Sequence, residues 1–209
     1  MSFYENKILP HAIDFVCSSP PIMKLREKVV PLAEGEILEI GMGSGVNIPL
    51  YDVSKVELVW GLEPSLGMRE KARPQVESAP FEIRWLDLPG EKIPLEDDSV
   101  DTVLLTYTLC TIPDWHQALL QMKRVLKPGG RLLFCEHGLA PERSVENWQH
   151  RLTPMWKRIA GGCHLNRPIS EYIEQAGFTI ESLENVYAKK TPKFAGYMYY
   201  GWATADEVR

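Results

Sequence analysis

No stretch of this chain is apolar for long enough to span a bilayer, and its polar first residues lead into no secretion-type hydrophobic segment. The expectation is a chain with no integral membrane segment, working in the cytoplasm. Cysteine is scarce as well. The four present, Cys17, Cys110, Cys135 and Cys163, form no C-x-x-C pair and no His/Cys ligand grouping along the sequence, so they read as reduced thiols, with no metal expected. Surplus positive charge is also missing. Twenty-three Lys and Arg against 28 Asp and Glu give a net charge of −5, which argues against a nucleic-acid partner because phosphate binding leaves a basic footprint. There is no internal repeat and no low-complexity tract. What is present is an ordinary globular mixture, 44% hydrophobic and 24% charged, in 209 residues. That length suits a single α/β domain with a substantial core.

The chain is organised around residues 36–51. A short apolar strand, residues 37–40, runs into Gly41-Met42-Gly43-Ser44-Gly45 and then into an expected helical start at Val46-Asn47-Ile48. Glycine accepts positive φ and has no Cβ, so the backbone can turn sharply and lie bare against a ligand. Free N–H groups at a helix start favour an anionic group. A nicotinamide or flavin fingerprint needs G-x-G-x-x-G; here the third glycine is Gly45 and Val46 follows it. That position disfavours a nicotinamide oxidoreductase. Candidate cofactor-binding residues in this stretch are Glu39, Gly41, Gly43, Gly45 and Asn47.

Four more strand ends add candidates. Residues 57–62 end in Glu63-Pro64-Ser65, about twenty residues past the glycine loop, where a doubly wound sheet places the acid that receives a ribose diol. Residues 81–86 end in Asp87-Leu88. This pair fits adenine, the carboxylate accepting from the exocyclic amine and Leu88 covering the ring; a turn aspartate before Pro89-Gly90 is the competing reading. A buried strand over 100–106 delivers Thr106, Tyr107 and Thr108 to the side where ligands of parallel sheets lie. Asp114 caps a helix over 115–126, Lys127-Pro128-Gly129-Gly130 breaks it, and a strand over 131–136 ends at His137.

Flanking segments complete the pattern. Residues 3–33 read as one or two helices, opened near 20 by Pro20-Pro21, that either cover the ligand pocket as a lid or pack on the sheet. After residue 138 come helices over 145–159 and 170–175 and strands over 178–186 and 196–204. The architecture expected is α/β: a doubly wound, Rossmann-like seven-stranded sheet, mostly parallel with one antiparallel edge strand, and helices on both faces. One domain covers 1–209, with 1–33 as a helical lid, 36–138 as the cofactor-binding core and 139–209 as the acceptor side.

Glu39-Ile40-Gly41-Met42-Gly43-Ser44-Gly45, Glu63, Asp87, Ser99-Val100-Asp101 and Val125-Leu126-Lys127-Pro128-Gly129-Gly130 together resemble class I S-adenosylmethionine-dependent methyltransferases of the ubiquinone and phosphatidylethanolamine type. Asn47, Tyr51, Leu109-Cys110, Glu136-His137, Trp148-Gln149, Pro154, Trp156, Gly162-Cys163, Leu165 and Arg167 are similar to the narrower thiol S-methyltransferase group. The resemblance covers about residues 37–184. It implies S-adenosylmethionine as cofactor and methyl transfer to a small, apolar acceptor, with a thiol ahead of a phospholipid amine or a quinol-like phenol. A cofactor-binding protein without turnover is the reading from another class. The sequence departs from animal members in lacking their apolar N-terminal anchor and in carrying Met42 where Cys is common.

A thiol with pKa near 8.5 is only a few per cent thiolate at neutral pH, so a base or cation beside the acceptor helps. His137 is the catalytic candidate, accepting that proton or stabilising the thiolate; the other reading is a histidine that bonds backbone and shapes the pocket. His116 and His164 rank below it. Trp148, Trp156, Tyr197, Tyr199 and Tyr200 either line an apolar acceptor pocket or belong to the core. Cys110 and Cys163 read as packing residues, since direct transfer needs no covalent enzyme intermediate.

Overall fold

A computed structural model of the protein describes Asp14 and residues 17–205. Most of the helical stretch expected between residue 3 and Pro20 falls outside them. The described chain opens with α1 (Pro20–Val29), whose two prolines fill first-turn positions that need no N–H donor. Then follow β1 (Gly35–Ile40), β2 (Val56–Leu62), α2 (Leu66–Glu77), β3 (Glu82–Leu86), β4 (Val100–Thr106), α3 (Trp115–Val125), β5 (Leu126–His137), α4 (Arg143–Ile159), α5 (Ile169–Gln175), β6 (Phe178–Tyr187), a four-residue helical turn α6 (Lys193–Gly196) and β7 (Tyr197–Ala205).

The seven strands form one sheet in the order β3-β2-β1-β4-β5-β7-β6. β1 to β5 pair in parallel, and β7 runs antiparallel to both β5 and β6. The sheet is thus mostly parallel, with an antiparallel pair at one edge in which β7 is the reversed strand. Its order reverses between β1 and β4, the switch point where a crevice opens beyond the carboxyl ends.

Both faces of the central strands are buried, so apolar neighbours in sequence go to opposite sides. Leu38, Leu105 and Phe134 pack with α3 and α5 residues such as Met122 and Ile173. Ile37, Leu104 and Leu133 pack against Leu25 and Val29 of α1. This pins α1 to the sheet beside the switch point.

Local signals hold in most places. The Asp114 side chain accepts from the Gln117 N–H at 3.0 Å and caps α3, a contact worth about 1 kcal/mol. Pro74 sits inside α2 without ending it. Two expectations fail. The stretch after the glycine loop is only a 3₁₀ turn, Ile48–Leu50, because Pro49 and the buried Asn47 and Ile48 hold it against the sheet. Lys127-Pro128-Gly129-Gly130 is not a separate break but part of β5, absorbed as an irregularity in its pairing with β4.

Candidate functional site

Two cavities meet beyond the carboxyl ends of the strands. The smaller, about 230 Å³, is walled by Gly41, Gly43, Glu63, Met68, Thr106 and Arg26. The larger, about 450 Å³, is walled by Ile22, His137, Trp156, Cys163, Phe194 and Met198 among others. Cys17, Tyr107 and Thr111 line both.

The smaller cavity grows from the glycine loop. Gly41, Gly43 and Gly45 all have positive φ, of 67°, 60° and 77°. A Cβ on Gly41 would lie 2.3 Å from Thr108 Oγ1, so only glycine lets the loop pass under the β4 end. Met42, which also borders the smaller cavity, is buried, and its sulfur fills the space beside Gly61. Glu63, at the end of β2, accepts from the Gly43 N–H at 3.0 Å and from the Ser65 N–H at 2.8 Å. Burial nevertheless pushes its carboxyl above the usual range, the two backbone donors pulling the other way.

Beneath the loop lies a buried polar network. Glu39 accepts from Asn47 Nδ2 at 2.8 Å and from the Tyr51 hydroxyl at 2.6 Å. Burial raises the Glu39 carboxyl, against those two donors. Arg26 of α1 donates through Nη1 to Asn47 Oδ1 at 2.8 Å and to Thr106 Oγ1 at 2.6 Å, and its guanidinium lies 4.8 Å from the Tyr107 ring centre. Its Nε is buried without a partner among the described residues. Tyr107 has φ of +53°, a conformation costly for a residue with a side chain, at the wall between the cavities.

The larger cavity is assembled from distant loops. The backbone N–H and Nδ1 of His164 lie 2.9 and 3.0 Å from the Cys110 carbonyl, joining the loop after α4 to the loop after β4. Arg167 holds the same β4 loop through the carbonyls of Leu109 and of Ile112, the latter at 2.7 Å. Glu136, fully buried in β5, accepts from the N–H groups of Thr108 at 2.7 Å and Leu109 at 3.1 Å. Burial raises its carboxyl to about 7.

These ties bring Cys110, His137 and Cys163 together, with Nε2 and both sulfurs all within 4.8 Å of one another. His137 Nε2 is 3.1 Å from Cys163 Sγ, while its Nδ1 is buried without a partner among the described residues. The Cys110 thiol and the adjacent His137 hold the Cys163 thiol well below its usual range despite burial. Cys110 is pushed up, chiefly by giving its hydrogen bond to Cys163. Burial pulls the His137 imidazole down, but the neighbouring Cys163 sulfur more than offsets this.

Of the residues singled out from sequence, the structure gathers Gly41, Gly43, Glu63, Thr106 and Tyr107 around one cavity and His137 on the wall of the next. Glu39 and Asn47 lie behind the wall, bonded to each other. Gly45 packs toward Ile48 and Ala72, while Pro64 and Leu88 do not line the cavity. Asp87 does not either; its exposed side chain is 3.4 Å from Arg69. His116 is exposed on α3, and of the five aromatic candidates Trp156 alone lines either of these two cavities. Sequence spacing showed no His/Cys grouping, whereas the fold builds one from Cys110, His137 and Cys163. Arg26 was missed as a polar site residue, and Glu136 was named only within the family resemblance, without a role. Their signal was a charge at a position whose helical or strand neighbours are apolar.

A family model described as a methyltransferase domain matches residues 38–134. A rat (Rattus norvegicus) thiol S-methyltransferase is 37% identical over 72% of this chain and 63% of its own length. A human (Homo sapiens) thiol S-methyltransferase is 31% identical over 86% of this chain and 74% of its own. The chain therefore spans about two thirds of the relatives' length. A solved S-adenosylmethionine-dependent methyltransferase from Aquifex aeolicus shares the fold, with a TM-score of 0.65 and 21% identity over 94% of this chain and 98% of that one.

Proposed function

We propose, from the premise that this chain belongs to the S-adenosylmethionine-dependent methyltransferase family, that it methylates the sulfur of a small apolar thiol held in the larger cavity. When bound, S-adenosylmethionine supplies an activated methyl group on a sulfonium. The smaller cavity suits that cofactor. Gly43 carries no Cβ where one would crowd Met68 at 3.2 Å, the Glu63 carboxylate has lone pairs left for a ribose diol, and Arg26 offers a buried cation for an amino-acid carboxylate. Thr106 and Tyr107 border the same end. Glu39 and Asn47 then act as positioning residues that hold Arg26 and the loop. Asp87 and Leu88 lie outside the cavity wall, which makes their part in holding the adenine the smallest.

The observation that carries the reading is the shared wall: an apolar cavity bearing His137 opens beside the cofactor cradle across Tyr107 and Thr111. In-line displacement depends mainly on alignment, and adjoining cavities provide it. Trp156, Phe194 and Met198 keep water from the acceptor, while His137 Nε2 already faces a sulfur at 3.1 Å. An acceptor sulfur entering there is held as thiolate by the same imidazole. Four free thiols fit a reducing, cytoplasmic setting.

The test is S-adenosylhomocysteine release with small alkyl and aryl thiols, beside a phospholipid amine and a phenol. Release with thiols is expected. Release with the amine or phenol alone would discard the sulfur acceptor, and cofactor binding without release from any acceptor would make the chain a non-catalytic binder.

A further inference from the structure

Cys110, His137 and Cys163 come from three separate places in the chain: the loop after β4, the end of β5 and the loop after α4. Their ligand atoms lie within 4.8 Å of one another, and all three residues line the apolar cavity. Tetrahedral zinc, with Zn–S of about 2.3 Å and Zn–N of about 2.0–2.1 Å, sets its donors roughly 3.5–3.8 Å apart. The cluster needs only small side-chain shifts to reach that spacing, starting from 3.1 Å between Nε2 and the Cys163 sulfur.

We propose that Cys110, His137 and Cys163 form a thiophilic metal site of the Cys₂His type, taking a divalent ion such as zinc, with its fourth position facing the acceptor cavity. Three protein ligands and one open position are the arrangement of catalytic rather than structural zinc. Charge supports it. Two thiolates and a neutral imidazole cancel a divalent cation, so the site is neutral within an apolar wall. Binding releases the Cys110 thiol proton and the proton shared by His137 and Cys163 to solvent.

The inference rests on the thiol reading only for the fourth ligand. In the metal-loaded protein the ion takes over from the bare imidazole the task of holding the acceptor thiolate: an acceptor thiol loses its proton to solvent as its sulfur coordinates the metal, and a coordinated thiol is deprotonated outright. The acceptor sulfur then forms its bond to the methyl carbon as the sulfonium C–S bond breaks. The thioether produced is uncharged, coordinates weakly and leaves.

The experiment uses the full chain stripped by chelator and dialysed against zinc, then separately against cobalt(II). One zinc per chain is expected, and the cobalt form should show sulfur-to-cobalt charge-transfer bands with the intense visible bands of a tetrahedral site. Cys110→Ser and Cys163→Ser should each weaken zinc binding at least tenfold while S-adenosylhomocysteine affinity, read by calorimetry, reports an intact fold. No stoichiometric metal, a six-coordinate cobalt spectrum, or serine variants that bind zinc as the parent does would each overturn the site. A thiol added to the cobalt form should strengthen the charge-transfer bands. If stripped protein methylates thiols as fast as zinc-loaded protein, the metal proposal fails and the thiol reading stands. If cobalt binds as expected but thiols change nothing and are not methylated, the metal site stands and the thiol reading fails.

Discussion

The two cavities are built in opposite ways. The polar one is a backbone object: one loop of three positive-φ glycines and a carboxylate one strand away that bonds the loop's own N–H. The apolar one is a side-chain object, closed by loops that meet only because Arg167, His164 and Glu136 tie backbone groups of the β4 loop. A pocket made of backbone tolerates changes of side chain around it. A pocket made of side chains on tied loops fails when one tie or one ligand is lost. The first arrangement suits a cofactor common to a family, and the second suits an acceptor particular to one member.

Four measurements sharpen or break this contrast. The largest effect should come from His137→Ala, which lowers turnover with a thiol about a hundredfold or more. S-adenosylhomocysteine affinity should move little, because His137 does not line the smaller cavity. Equal losses in both would show that the cavities are not separable. Glu63→Ala should weaken S-adenosylhomocysteine binding by about tenfold or more in calorimetry, roughly 1.4 kcal/mol, through lost ribose contacts and a freed Gly43 N–H. Unchanged affinity would refute its role in the cradle.

The third concerns pH. Burial raises the Glu63 carboxyl above the ordinary glutamate value. The ionised form is the one that accepts from a diol, so affinity is full above the raised pKa and declines as pH falls through it. The midpoint should lie above the ordinary glutamate value and that component should vanish in Glu63→Gln, as read by calorimetry across buffers. The smallest effect belongs to Asp87→Ala, because that carboxylate is exposed and lies outside the cavity wall. A change within about twofold in affinity is expected, since exposed polar contacts contribute little. A tenfold loss would extend the cradle across the β3 end.

Much of the fold could be read from the chain because its signals are local. The apolar runs of β1 and β4, the Asp114 cap and the Pro20-Pro21 helix start each depend on a few adjacent residues. The helix expected after Gly45 failed for a tertiary reason: Asn47 and Ile48 are drawn into the buried network and the sheet face, leaving one 3₁₀ turn. The polar cavity was largely legible. Glu63 could be placed beside the loop because parallel β1 and β2 pair in register, setting Ile40 opposite Leu62. Asp87 was read by the same rule, but its side chain turns outward to Arg69.

Sequence alone determined the alternation of strands and helices in the core, the glycine loop and its acidic neighbour, because backbone conformation and strand periodicity are properties of short windows. Tertiary structure alone decided that Arg26 reaches from α1 to Thr106 and that Cys110, His137 and Cys163 meet. Those meetings span up to 80 residues of chain, and no local pattern encodes the distance between two loops until the sheet beneath them is closed.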